Sequence, residues 1–245
     1  MRRFITPFLV LSLVALSAGG VWFFGRTLMI PDTIEARQAS LPQRLAEKGF
    51  QTGQPVFIRI FKQSSELELW MQNQGKWALF DNFEICKWSG ALGPKLKQGD
   101  KQAPEGFYDV SLASLNPNSR WHLSFNLGYP NAYDRAYGRT GSFLMVHGGC
   151  SSAGCYAMTN PAVNDIYRLV EAALNSGQQQ VGVHIFPFRM TPEAMAAHAQ
   201  NEWFDFWQSL KPAYDRFETD RQLPEIRVAG KQYVIGAPIS LSSNK

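Results

Sequence analysis

The stretch HGGCSSAGCYAMTN, residues 147–160, sets a histidine and two cysteines within a few positions of one another. A thiol beside an imidazole base is a nucleophile for acyl transfer. The same three side chains, His147, Cys150 and Cys155, are also zinc ligand types, and Cys150 with Cys155 could close a structural bridge. A histidine on an apolar strand can also be a core residue whose ring nitrogens are satisfied locally.

The chain has 3 cysteines. In an oxidising compartment an odd number leaves at least one unpaired or paired between chains, and a thiol kept free there is exposed to oxidation unless its thiolate has a use. Cys155 is the better candidate. It sits in the Gly-containing loop SSAGC just ahead of a helix start, where consecutive backbone N–H groups can converge on one spot, lower the thiol pKa and hold a developing oxyanion. His147 ends the apolar run SFLMVH, and Gly148-Gly149 after it lets the chain turn back toward Cys155. A zinc site lacks a matching second ligand pair, since His122, His184 and His198 are scattered. Spacing alone leaves these alternatives open.

The 245 residues are 45% hydrophobic and 18% charged, enough apolar mass for one main domain and too little charge for a solvated, disordered chain. The formal charge is +4. Arg2 and Arg3 contribute to it from ahead of the first apolar run, so the body is nearly neutral. No basic cluster interleaved with aromatics stands out, and a nucleic-acid partner is not supported. The N-terminus, two arginines and then an uncharged run from Phe4 to Gly25, reads as an export segment over residues 1–30. It is either a cleaved signal peptide or a membrane anchor that would make the inner membrane a partner. The rest of the chain is expected to work outside the cytoplasm.

Residues 31–55 read as a linker with one short helix around Leu41–Lys48. VFIRIF, ELELWM and KWALFDNFEI then alternate at period two between polar turns, an antiparallel meander. EGFYDV, WHLSFNLG, SFLMVH and VGVHIF add further strands. Thr159 followed by Pro161 caps the helix VNDIYRLVEAAL, which Gly177 stops; Thr191-Pro192 starts another, and the aromatic-rich helix WFDFWQSL is expected to end at Lys211-Pro212. Trp203, Phe204, Phe206 and Trp207 have the spacing of a packed helix face. EIRVAGKQYVIG is a hairpin around Ala229-Gly230. The predicted architecture is mainly β with flanking helices (α+β).

HGGCSSAGCYAM, taken with the upstream QGDKQAPEGFYDV, resembles the L,D-transpeptidase catalytic domain. The matching elements are His147-Gly148, the Ser152-Ala153-Gly154-Cys155 loop and the Ala103-Pro104-Glu105-Gly106-Phe107-Tyr108 strand. ICKWSGALGPK, YPNAYDRAYG, HGGCSSAGCYAMTN and FPFRMT are similar to one branch, the peptidoglycan amidase that releases murein lipoprotein from diaminopimelate. The resemblance implies a β-sandwich catalytic domain over 56–188 with a helical extension over 189–245. It implies Cys155 as nucleophile and His147 as base. Gly148 would contribute backbone, and the N–H groups of Gly154, Cys155 or Tyr156 would be oxyanion donors. The implied partners are peptidoglycan stem peptides and murein lipoprotein, in the periplasm, with no metal or cofactor. One position departs from the family pattern: Ala157 stands where an arginine is usual, which puts ordinary transpeptidation in doubt and favours hydrolysis.

A zwitterionic diaminopimelate end needs complementary charge, and the Tyr133-Asp134-Arg135 loop is the candidate, with Tyr133, Arg135 and Ser152 as substrate-binding residues. Lys95 and Lys97 are weaker candidates, read as exposed lysines. Cys86 and Cys150 are expected either to pair or to stay reduced near the site, leaving Cys155 free. Three outcomes stay open at this level: the amidase, a transpeptidase that makes diaminopimelate cross-links or attaches lipoprotein, and a non-catalytic wall-binding module.

Overall fold

The computed structural model describes residues 39–238; the expected export segment and the start of the linker lie outside them. In chain order the elements are α1 (Leu41–Glu47), β1 (Val56–Phe61), β2 (Glu66–Asn73), β3 (Lys76–Glu84), β4 (Gly106–Val110), β5 (Leu115–Ser119), β6 (His122–Asn126) and α2 (Ala132–Ala136). There follow β7 (Met145–His147), β8 (Tyr156–Ala157), α3 (Asn160–Asn175), β9 (Val181–Phe186), α4 (Pro192–Ala197), α5 (Phe204–Asp220), β10 (Pro224–Ala229) and β11 (Gln232–Pro238).

The expected meander β1–β2–β3 forms, and β9 adds parallel to β1, with β4 antiparallel to β9, giving the order β3-β2-β1-β9-β4. A second sheet has the order β5-β6-β7-β8, and β10 pairs with β11 alone. Both faces of the larger sheet are covered, so its central strand β1 buries every residue. Val56, Ile58 and Ile60 of β1, with Val181, Val183 and Ile185 of β9, pack against Phe125, Val146 and Tyr156 of the smaller sheet and against α3. The alternate residues Phe61 and Phe186 meet α4 and α5 through Met195, Phe206 and Trp207, while Phe57 packs with Trp70 and Phe217. Period-two side-chain alternation thus feeds two cores from one strand.

Charge is buried in the second core, but paired. Arg59 is 2% exposed and donates to Glu68 and Glu218. Lys62 and Glu105 are fully enclosed with Nζ and Oε1 3.0 Å apart. Lys62 also donates to the carbonyls of Ala91, Gly93 and Ala103, and Glu105 accepts from Gly93 N–H and Trp207 Nε1. Such a pair persists because every lone pair and proton finds a partner.

Two expectations need correction. The linker is packed from α1 onward: Leu45 and Phe50 join the first core, and Arg44 forms ion pairs with Asp81 and Asp165. The helix carrying WFDFWQSL does not stop at Pro212 but runs on to Asp220. Proline removes one backbone donor there, yet Ala213, Tyr214 and Phe217 beyond it are buried, and tertiary packing outweighs the lost bond. The C-terminal hairpin turns at Gly230 (φ 56°) and Lys231 (φ 63°), the pair of left-handed residues that a type I′ turn requires.

Candidate active site

Three short strands bring the histidine and the cysteine loop together. β6 runs antiparallel to β7, with Ser124 opposite His147, and β7 runs parallel to β8, with His147 opposite Ala157. Cys155 immediately precedes β8, so this register sets it beside Met145, on the face that His147 also occupies two residues along. The thiol and the imidazole are therefore diagonal neighbours on adjacent strands. Closing bonds lock the loop between them. Met158 N–H donates to His147 O at 2.7 Å, Cys150 N–H to Met158 O at 3.3 Å, and Lys87 pairs with Ala157 through both its backbone groups.

His147 is 4% exposed and its Nδ1 lies 2.6 Å from Gly148 O. A carbonyl only accepts, so Nδ1 carries the proton and Nε2 the free lone pair. Gly148 contributes its backbone in this way, through its carbonyl; its N–H donates to Leu123 O. No side chain fits at this glycine, because a Cβ would lie 2.6 Å from Asn160 Oδ1 and 2.9 Å from Trp121 O. Gly149 (φ 86°) and Cys150 (φ 48°) continue the turn, and Asn160 Oδ1 accepts from Gly149 N–H.

Cys86 and Cys150 form a disulfide, leaving Cys155 as the free cysteine. The bridge removes Cys150 both as a zinc thiolate and as a partner for Cys155. No group of three or more metal-ligating side chains occurs among the described residues. Burial pushes the Cys155 thiol up, opposed by a hydrogen bond from the Met145 backbone and by the charge of Lys95. Burial pushes His147 down, against the Gly148 hydrogen bond. The expected depressed thiol is thus not found: at neutral pH both groups rest uncharged.

The N–H groups expected to face an oxyanion are engaged. Ser152 Oγ accepts from Gly154 N–H at 3.3 Å and from Cys155 N–H at 3.1 Å, and itself donates to Cys155 O at 2.7 Å. Ser152 therefore braces the cysteine loop from within rather than facing a ligand. Tyr156 lies in the β7–β8 pairing with its side chain fully buried and its hydroxyl on Pro104 O. Ala157 is fully buried directly across from His147.

The other substrate-binding candidates lie elsewhere. Tyr133 is buried, stacked on Tyr233 at 4.3 Å within the second core. Arg135 is exposed and folds back onto Pro130 O. Asp134 between them is enclosed, bonded to Arg139 and Tyr108. Lys97 is exposed as expected, but Lys95 is 3% exposed and tied to Asp100, with its charge felt at Cys155.

Two aromatic residues that spacing did not single out border the pair. Trp121, 39% exposed, lies with its ring 5.9 Å from that of His147. Phe143, 71% exposed at φ 55°, presents its carbonyl 3.7 Å from Cys155 Sγ. A large apolar side chain held out to solvent on left-handed backbone is an uncommon expense of local stability, of the kind that gathers at functional sites. The only sequence sign was their closeness to the strand ends.

The α+β fold sets a free thiol and a tautomer-fixed imidazole on one sheet face, the two side-chain types that cysteine acyl transfer employs. The family model YkuD, L,D-transpeptidase catalytic domain, matches residues 58–186. Proteins of Escherichia coli K12 and O157:H7, each named "Putative L,D-transpeptidase YafK", are 48% identical over 188 residues, covering 77% of this chain and 76% of theirs. The chain belongs to the L,D-transpeptidase family, enzymes that act on peptidoglycan. Among solved structures, the helical cell shape determining protein Pgp2 of Campylobacter jejuni is 17% identical with a TM-score of 0.43, covering 77% of this chain and 80% of that one. Bd1075 of Bdellovibrio bacteriovorus is 14% identical with a TM-score of 0.41, covering 77% of this chain and 94% of that one.

Proposed function

We propose that this chain is an exported, periplasmic amidase that uses Cys155 to release lipoprotein bound to the L-centre carbonyl of meso-diaminopimelate. The observation that carries the reading is the same-face pairing of a free Cys155 with a His147 whose Nδ1 is committed to Gly148 O. His147 Nε2 takes the thiol proton as Sγ bonds to the carbonyl carbon. The tetrahedral oxyanion collapses, the C–N bond breaks, and the departing amine takes that proton back. The product is a thioester. Water then gives a proton to Nε2, attacks the thioester and leaves a free carboxylate with the thiol restored.

An oxyanion needs donors at the moment of attack. Gly154 and Cys155 N–H groups converge on Ser152 Oγ, so they already form a two-donor cradle for oxygen, and the serine hydroxyl must swing aside for the substrate to use it. Trp121 and Phe143 serve as walls against which a peptide can lie.

Hydrolysis is favoured over cross-linking by Ala157. Where the family pattern carries an arginine, the strand offers a methyl group, and positive charge at Cys155 comes from Lys95 instead. A second reading, transfer of the thioester to an amine, draws support from the name of the Escherichia coli relatives. Incubating the protein with peptidoglycan that carries covalently attached lipoprotein, and analysing the products by mass spectrometry, separates them. Free lipoprotein with intact tripeptide stems is the expected result. New diaminopimelate–diaminopimelate cross-links would replace hydrolysis by transfer, and the absence of any product from either the parent or Cys155→Ser would leave a binding module.

A further inference from the structure

A cavity of about 580 Å³ that neither Cys155 nor His147 lines lies between the turn after α2, the start of α5 and the β10–β11 turn. Its size is that of a small-molecule site. Arg139 lines it. That residue is 8% exposed, its Nη1 donates to Asp134 at 2.8 Å, and its guanidinium lies over the rings of Phe206 (4.9 Å), Tyr133 (5.2 Å) and Tyr137 (5.5 Å). Nε and Nη2 have no acceptor among the described residues. A nearly buried guanidinium with donors to spare is a carboxylate receptor in waiting, since guanidinium matches a carboxylate in plane and spacing.

The rest of the wall carries both signs of charge. Lys231, on the hairpin turn, stands 5.7 Å over Tyr137. Glu202 and Asp205, at the start of α5, line the wall as well and make no ion pair with described residues. Two cations and two free carboxylates around one cavity suit a ligand with a carboxylate and an ammonium close together. They would repel a dianion or a dication. Of the aromatic lining, Tyr137 lies tilted against Tyr133 at 4.7 Å and carries two cations, which leaves Trp203 as the ring on which a competing sugar would have to stack.

We infer that this cavity is a receptor for a zwitterionic α-amino-acid end, with Arg139 and Lys231 on the carboxylate and Glu202 and Asp205 on the ammonium. Two loops join it to the thiol. Arg139 lies on the segment that reaches Phe143, whose carbonyl meets Cys155 Sγ, and four residues span at most about 14 Å. Leu96 lines the cavity while its neighbour Lys95 acts on Cys155, and Thr140 N–H donates to Leu96 O, tying the segments together. The unattached D-centre of meso-diaminopimelate is such an end. That choice of carrier rests on the proposed function, whereas the ligand class rests on the cavity.

Calorimetry of the full chain in detergent with meso-diaminopimelic acid tests the inference. Pimelic acid lacks the amines and 1,5-diaminopentane lacks the carboxylates. Each should bind at least about tenfold more weakly, the worth of one charged hydrogen bond. Lys231→Gln and Asp205→Asn, both at exposed positions, should each weaken meso-diaminopimelic acid binding about tenfold, while Cys155→Ser should bind like the parent. Absence of binding, indifference to both substitutions, or preference for a wall disaccharide would overturn the receptor. Binding that obeys these rules in a protein that releases no lipoprotein would instead overturn the amidase and leave the receptor standing.

Discussion

Burial, rather than a nearby cation, sets the resting state of Cys155 and His147: it raises the thiol and lowers the imidazole. No thiolate–imidazolium pair stands ready, so proton transfer accompanies attack. Two titrations follow. Alkylation of Cys155 by iodoacetamide should accelerate only above the ordinary cysteine value of about 8.5, while kcat/KM should climb on the acid side with an inflection below the ordinary histidine value of about 6.5. His147→Gln should lower kcat by about 10² to 10⁴ and abolish that acid limb. An alkylation profile with a plateau already reached at pH 6 would mean a preformed ion pair and contradict this account. Ser152 belongs to the same scale. Read as a ligand contact, it proved to be the internal brace of its own loop, because a serine hydroxyl finds backbone groups two or three residues away before it finds solvent.

At the scale of strands and helices, β9 carries a group poised to report on folding. His184 is buried between Phe57 and Phe107, each ring 4.7 Å away, with no partner for Nδ1 among the described residues, and burial with the nearby Arg59 charge pushes its pKa down to about 3. The unfolded chain takes up a proton at this residue near pH 6.5 and the folded chain does not. Stability should therefore be unaffected above that pH, fall by about 1.4 kcal/mol per unit as pH drops from 6.5 toward 3, and level off below. Chemical denaturation of the parent and of His184→Phe checks this, the variant losing that slope. Strands such as β1 and β9 were legible because alternation writes itself into residue order. β5, which contains Pro117, and the two-residue β8 were not, since neither has a period to read. Types and spacing left the cysteine–histidine pair one reading among several, and it was the family resemblance that singled it out. Arg139 was not legible: what distinguishes it from Arg135, four positions earlier, is Phe206 of α5 closing over it beside the local Tyr133 and Tyr137, and no local pattern announces a contact that distant in sequence.

Across the whole molecule, the Cys86–Cys150 bridge ties the exit of the meander to the loop that follows His147. With a sequence separation of 64, closing that loop should stabilise the fold by about 4 kcal/mol on chain-entropy grounds. The double substitution Cys86→Ser/Cys150→Ser should lower unfolding free energy by about 2–4 kcal/mol. Non-reducing peptide mapping of active protein should recover the 86–150 bridge with Cys155 unbridged; a bridge containing Cys155 would remove the nucleophile. Glu105 makes a second long-range tie. It receives Lys62 from the end of β1, the Gly93 amide from a loop and the Trp207 indole from α5. The family-matched stretch, 58–186, stops short of α5. Excising that stretch would strip the indole from a sequestered carboxylate and bare Phe61, Phe107 and Phe186 to water, so the smallest fragment worth expressing keeps the C-terminal helices attached.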